Sequence, residues 1–138
     1  MRTLSPPDPK LWQARAEWFW RAHDLNAGPH ALDPGPRAGV LLAELEALFC
    51  VGAWASVVIV AWALVEAEQR ALALAFARRG AEPRPEPDVD WLRERRNALV
   101  HIAADGTDDD MPDEDALEEM AQGAVRVAFK TMFAAAWK

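Results

Sequence analysis

Apolar residues recur every three or four positions along this chain, and clusters of Pro, Gly and acidic residues interrupt the recurrence four times. That rhythm predicts helices separated by loops. The first helix is expected to open with Asp8 as N-cap and Pro9 at its first helical position, and to run to about Leu25. Leu11, Trp18, Ala22 and Leu25 share one side of it, with Trp12, Ala16 and Phe19 beside them. The run Asn26-Ala27-Gly28-Pro29 stops it, and the Pro/Gly-rich stretch to Pro36 reads as a loop.

A second helix is expected from about Arg37 to Val51, with Gly52 marking a tight turn. A third follows from about Ala53 to Ala77 and is apolar nearly all round until Glu66, which makes it the expected most buried element. Trp54 and Trp62 lie on neighbouring parts of one of its faces. Gly80 and the run Pro83 to Pro87 break the chain. Asp88 is then the expected cap of a fourth helix reaching about Ala103, and Pro112 or Asp113 opens a last helix to about Trp137. No stretch reads as a convincing strand. The expected fold is all-α: one domain over 1–138, with helices two to five forming a four-helix up-down bundle over about 37–137. The first helix, about 8–25, is expected on its outside.

Composition narrows the class. A chain of 138 residues that is 51% apolar can bury a sizeable core. The single cysteine, Cys50, allows no internal disulfide and fits a reducing compartment, and Met1 to Pro7 contains no apolar signal core. A cytoplasmic location is the resulting expectation. Ala47 to Val65 is nineteen residues without a charge, long enough to cross a bilayer. Its flanks are Glu44, Glu46, Glu66 and Glu68, with no basic residue to set orientation, so a buried bundle helix is expected and no membrane.

Net charge is −7, and between Asn97 and Val125 there are nine carboxylates and no Lys or Arg. That balance argues against unselective coating of nucleic acid, and no DNA partner is expected. The acidic run 105–115 lacks the spacing of a calcium loop, and His23 and His30 have no metal-ligand spacing and read as surface or capping residues. Cys50 has apolar neighbours and reads as a buried thiol. No Gly-rich phosphate loop occurs, so neither metal nor cofactor is expected. Trp18-Phe19-Trp20 reads as packing, since three successive positions cannot all face one core.

The chemistry concentrates in the fourth helix. Arg96-Asn97-Ala98-Leu99-Val100-His101 places a permanent cation, an amide and an imidazole together. Arg clamps phosphate with its fork of donors, and His moves protons near neutral pH. Arg96 and His101 diverge by about 140° around a helix, whereas Asn97 and His101 share a side, with Glu94 a turn back, so Asn97 is expected to orient His101 directly. A site built from Arg96 and His101 is therefore hard to close within one chain, and a two-fold dimer would bring two of each together. Arg93, Arg95 and Glu94 are the expected flanking, ligand-binding charges. The alternative is that the arginines form a solvated face and His101 is a residue favoured at a helix C-terminus.

This segment resembles the signature of HEPN domains, in which Arg, a polar residue such as Asn, three further residues and His follow in order. The stretches Leu41 to Ala47 and Gly52 to Glu66 are similar to that family's first helical hairpin, and Asp113 to Leu117 to the start of its last helix. The resemblance covers about 37–137 and leaves the first helix as an addition. It implies a homodimer through the helix at about 88–103, with an RNA substrate cleaved without metal in the active members, as in toxin and defence systems. His101 would be the general acid/base, Arg96 the phosphate clamp, and Asn97 a residue shaping the site. The Tyr that a partner nucleotidyltransferase modifies in one toxin branch corresponds to Ala103, and the chain contains no Tyr. Many members are non-catalytic, so an RNA- or nucleotide-binding or protein-interaction module of a defence or stress system is the alternative. A small-ligand-binding bundle is a third reading.

Overall fold

In a computed structural model, which describes residues 3–28, 35–80, 86–101 and 111–134, every regular element is an α-helix. They are α1 (Pro9–Ala27), α2 (Pro36–Val51), α3 (Trp54–Arg78), α4 (Pro87–Val100) and α5 (Glu114–Ala134). The expected all-α bundle with one helix beyond four is observed, and no strand occurs among the described residues.

The ends follow from local chemistry. The Asp8 carboxylate accepts from the Leu11 N–H at 2.9 Å, and Pro9 takes the first helical position, where its missing N–H costs nothing. Gly52 ends α2 in the left-handed region at φ 82°. Its N–H reaches the Phe49 carbonyl at 3.1 Å while Ala53 N–H reaches Leu48 at 3.0 Å, a pair of bonds that satisfies carbonyls left over at the helix end. The chain then reverses within two residues. Arg15 of α1 reinforces that corner: it donates to the Cys50 carbonyl at 3.1 Å and lies 4.8 Å above the Trp54 ring. A cation there also complements the negative end of α2.

Two helix starts differ from expectation by a turn or less. Pro87 opens α4, so Asp88 lies in its first turn and Glu86 flanks it. Asp113 precedes α5 and caps it, accepting from Ala116 N–H at 2.8 Å. Helix α4 stops at Val100, because His101 has extended backbone (φ −110°, ψ 134°). The expected extensions to Ala103 and Trp137, His30 and most of the acidic run lie outside the described residues.

The most extensive helix contact is α3 with α5, and Val57, Ala61, Leu64 and Val65 of α3 belong to one buried core with Ala121, Ala124, Val125 and Ala128 of α5. These positions recur at helical spacing, and their small side chains let the helices approach closely. Helix α3 was expected to be the most buried; instead α5 contributes nine buried residues and α3 six, all of the latter between Trp54 and Val65. Both helices touch three others, but α5 buries residues along its whole length from Leu117 to Phe133, whereas the second half of α3 carries no buried residue.

The contacts also place the fifth helix differently from expectation. α1 packs on α2 and α5, and α2 on α3, so α1, α2, α3 and α5 close a ring. Phe19 fills its centre, fully buried, with ring centroids 5.1 Å from Phe129 and 5.9 Å from Phe49. Among the described residues α4 packs mainly on α3 and α5, and it buries only Val89 and Leu92. The N-terminal helix is therefore a member of the core, and the helix with the Arg/His segment lies at the margin. The expected apolar side of α1 is rotated accordingly: Phe19 and Ala22 are buried while Leu11 and Leu25 are exposed. His23, expected at the surface, is half-buried between Phe129 and Phe133, with centroids at 5.3 and 5.2 Å.

Candidate functional site

Helix α4 docks by a stripe. Val89 and Leu92 are buried and Leu99 packs against the core beside them. Arg96 falls on the same stripe, one turn beyond Leu92, and is half-buried for that reason. Its Nε is buried without a hydrogen-bond partner among the described residues, while its Nη1 donates to the Asn97 amide oxygen at 2.9 Å. Arg96 and Asn97 are thus brought together.

His101 is not joined to them through its side chain. It follows the last helical residue, and its backbone N–H closes the final turn on the Asn97 carbonyl at 3.0 Å. Its imidazole is exposed. The Asn97 amide oxygen serves Arg96, so the direct orientation of His101 by Asn97 is not the arrangement seen. Arg96 faces the seam with the core and His101 faces solvent, which is the divergence that helical spacing gives.

The flanking charges separate as well. Arg93 pairs with Asp90 one turn earlier, Arg95 lies 5.7 Å above the Trp91 ring, and Glu94 is exposed. Consecutive arginines on a helix point to different sides, so the basic cluster in sequence becomes three separate cations. On one chain the end of α4 offers an exposed imidazole and a guanidinium held beside an amide. These groups could move a proton and bind an oxyanion, though not at one point. Among the described residues no group of three His, Cys, Asp or Glu is placed to hold a metal ion. No helix among them is long and apolar enough to cross a membrane.

Cys50 is fully buried, and burial pushes its thiol pKa up, with Glu46 adding to the effect and Arg15 opposing it. A thiol so placed is a poor nucleophile.

Sequence reasoning missed a second feature, an open cleft of about 680 Å³ between α1, α4 and α5. Trp18 and Trp91 belong to its walls, and Arg21, Arg126 and Lys130 to its rim. One signal was available: Gly123 interrupts the otherwise strong helical pattern of the last helix, and a glycine there marks a close approach. The approaching group is Trp91.

No family model, no curated protein and no solved structure matches the chain.

Proposed function

We propose that the chain is a HEPN-like domain that pairs through α4 and cleaves RNA without a metal, the two copies together completing an Arg96/His101 site. The observation that carries this reading is the end of α4: an exposed imidazole one residue past the helix, with Arg96 and Asn97 joined a turn before it. The side of α4 turned from the core carries Asp90, Arg93, Glu94 and His101, all exposed and polar, so a contact through it would be polar and water-containing.

In the reaction, the ribose 2′-oxygen bonds to the adjacent phosphorus and the bond from phosphorus to the 5′-oxygen breaks. One His101 takes the 2′-hydroxyl proton, and a proton is returned to the leaving 5′-oxygen by the other His101 or by water. Arg96 donates to the phosphoryl oxygens as charge builds on them.

The test is cleavage of single-stranded RNA in EDTA, with the mass of the protein in solution measured alongside. Wild type should be a dimer and cleave; His101→Ala should lose about 10²-fold or more in rate. Because His101 is exposed, that change should leave stability within about 0.5 kcal/mol. Undiminished cleavage by clean His101→Ala protein would refute the assignment. One observation favours the second reading, a non-catalytic binding module: the Arg96 guanidinium is held by Asn97 and partly covered, where a phosphate clamp would present it openly. That reading expects RNA retention without cleavage, equal in wild type and His101→Ala.

A further inference from the structure

The cleft between α1, α4 and α5 shares no residue with the 93–101 segment, and nothing argued for RNA cleavage depends on it. Its floor is α5, where Gly123 and Val127 present a low surface. A Cβ on Gly123 would stand 2.7 Å from Trp91 Cη2, so the glycine is what lets the indole lie down on α5 and form a wall. Trp18 belongs to the opposite wall, stacked on Phe49 at 4.9 Å on one side and carrying the Arg126 guanidinium 5.0 Å from its ring. The indole fixes that guanidinium over an apolar surface, and Arg126 has no carboxylate partner among the described residues. Arg21, one turn along α1 from Trp18, has none either. At the other end Lys130 bonds to Asp88 at 2.6 Å and ties α5 to α4. The cleft therefore carries three cations and one carboxylate, a net positive charge on a chain of net −7.

We propose that this cleft binds a small organic anion with a flat apolar body, such as an aromatic carboxylate or sulfonate. The body lies against Trp91 and the α5 floor, and the anionic group meets Arg126 and Arg21. Size and shape favour a compact ligand over a partner helix. The volume of about 680 Å³ falls within the range of small-molecule sites. The third wall, α4, contributes Asp88 and Trp91, which lie within a single helical turn, whereas a docked helix needs a groove several turns long. Two guanidiniums without a carboxylate partner among the described residues, one of them held over the Trp18 ring, supply the orienting polar groups such sites contain.

The test uses 1-anilinonaphthalene-8-sulfonate as the probe, with its uncharged analogue N-phenyl-1-naphthylamine for comparison. The sulfonate should bind the folded protein saturably at one site and shift the backbone and indole N–H signals of Trp18 and Trp91 in nitrogen-15 correlation spectra. The double variant Arg21→Glu/Arg126→Glu should weaken it about tenfold or more, and should weaken the uncharged analogue far less. Both arginines are exposed, so the variant should keep the wild-type spectrum elsewhere, which separates loss of binding from loss of fold. Undiminished binding by the double variant, signal changes confined to other exposed apolar residues such as Leu11 and Trp12, or capture of an acidic helical peptide but not of the sulfonate would each overturn the proposal.

Discussion

Replacing Gly123 with alanine sets two effects of known size against each other. Glycine in a helix interior is worth about 1 kcal/mol less than alanine, so on propensity alone Gly123→Ala stabilises α5. The added Cβ, however, would lie 2.7 Å from Trp91 Cη2, with the two neighbouring ring carbons at 3.3 and 3.4 Å. Carbon atoms rest at about 3.5–4.0 Å, so the tip of the indole must withdraw by about 1 Å. Trp91 is half-buried, and lifting its indole from α5 loosens the packing of α4 on α5. Overpacking of this kind costs about 1–3 kcal/mol, so the clash wins and the net change should be a loss of about 1 kcal/mol. That corresponds to a fall in Tm of about 4 °C. With Trp91→Ala in place the obstacle is gone, and Gly123→Ala should then stabilise by about 1 kcal/mol. Urea unfolding of the four proteins would give a coupling energy of about 2 kcal/mol. Stabilisation by Gly123→Ala in the wild-type background, or a coupling below about 0.5 kcal/mol, would refute the packing of Trp91 on Gly123 and with it the seat of α4.

Three further outcomes follow from the same structure. Phe19→Ala should cost about 3–5 kcal/mol in denaturant unfolding, since the side chain is fully buried in the ring centre; a loss under about 1 kcal/mol would show that α1 lies outside the core. Cys50 should resist iodoacetamide in the folded protein and react only when unfolded, because the sulfur is buried and its pKa raised; rapid alkylation under native conditions would contradict that placement. The hydrogen bond and charge of Asp88 hold the Lys130 pKa above its ordinary 10.5, so the pair stabilises the fold fully below the unfolded lysine value and loses that contribution as pH rises through the folded one. The two side chains are 60% and 51% exposed, which limits the effect to about 0.5 kcal/mol or less. Lys130→Met should lower stability by that amount at neutral pH, with the difference from wild type closing at alkaline pH; a larger or pH-independent difference would mean lost packing instead.

Much of the local structure was legible because it depends on neighbours in sequence. Asp8-Pro9 signalled a helix start, Gly52 a tight turn, and the charge-free run up to Glu66 the buried half of the third helix. The candidate site was legible to the same degree: helical geometry already separated Arg96 from His101. What it did not show is that Arg96 shares the docking stripe of Leu92, or that the Asn97 amide is taken up by Arg96 and not by His101. Those depend on which side of α4 meets the core, and α4 is a short helix whose apolar stripe is interrupted by Arg96 itself.

By itself, then, the sequence determined that this protein is a set of helices with these approximate ends, and that an arginine, an amide and a histidine crowd the end of one of them. Periodicity and capping act over three or four residues, so a single chain read in order carries that information. Only the tertiary structure decided that α1 closes the ring and α4 lies at its margin, and that Trp18 of α1 and Trp91 of α4 border one cleft over Gly123. Both outcomes depend on how apolar faces far apart in the chain pair with one another. An amphipathic helix states that it must bury a face, but not against which partner.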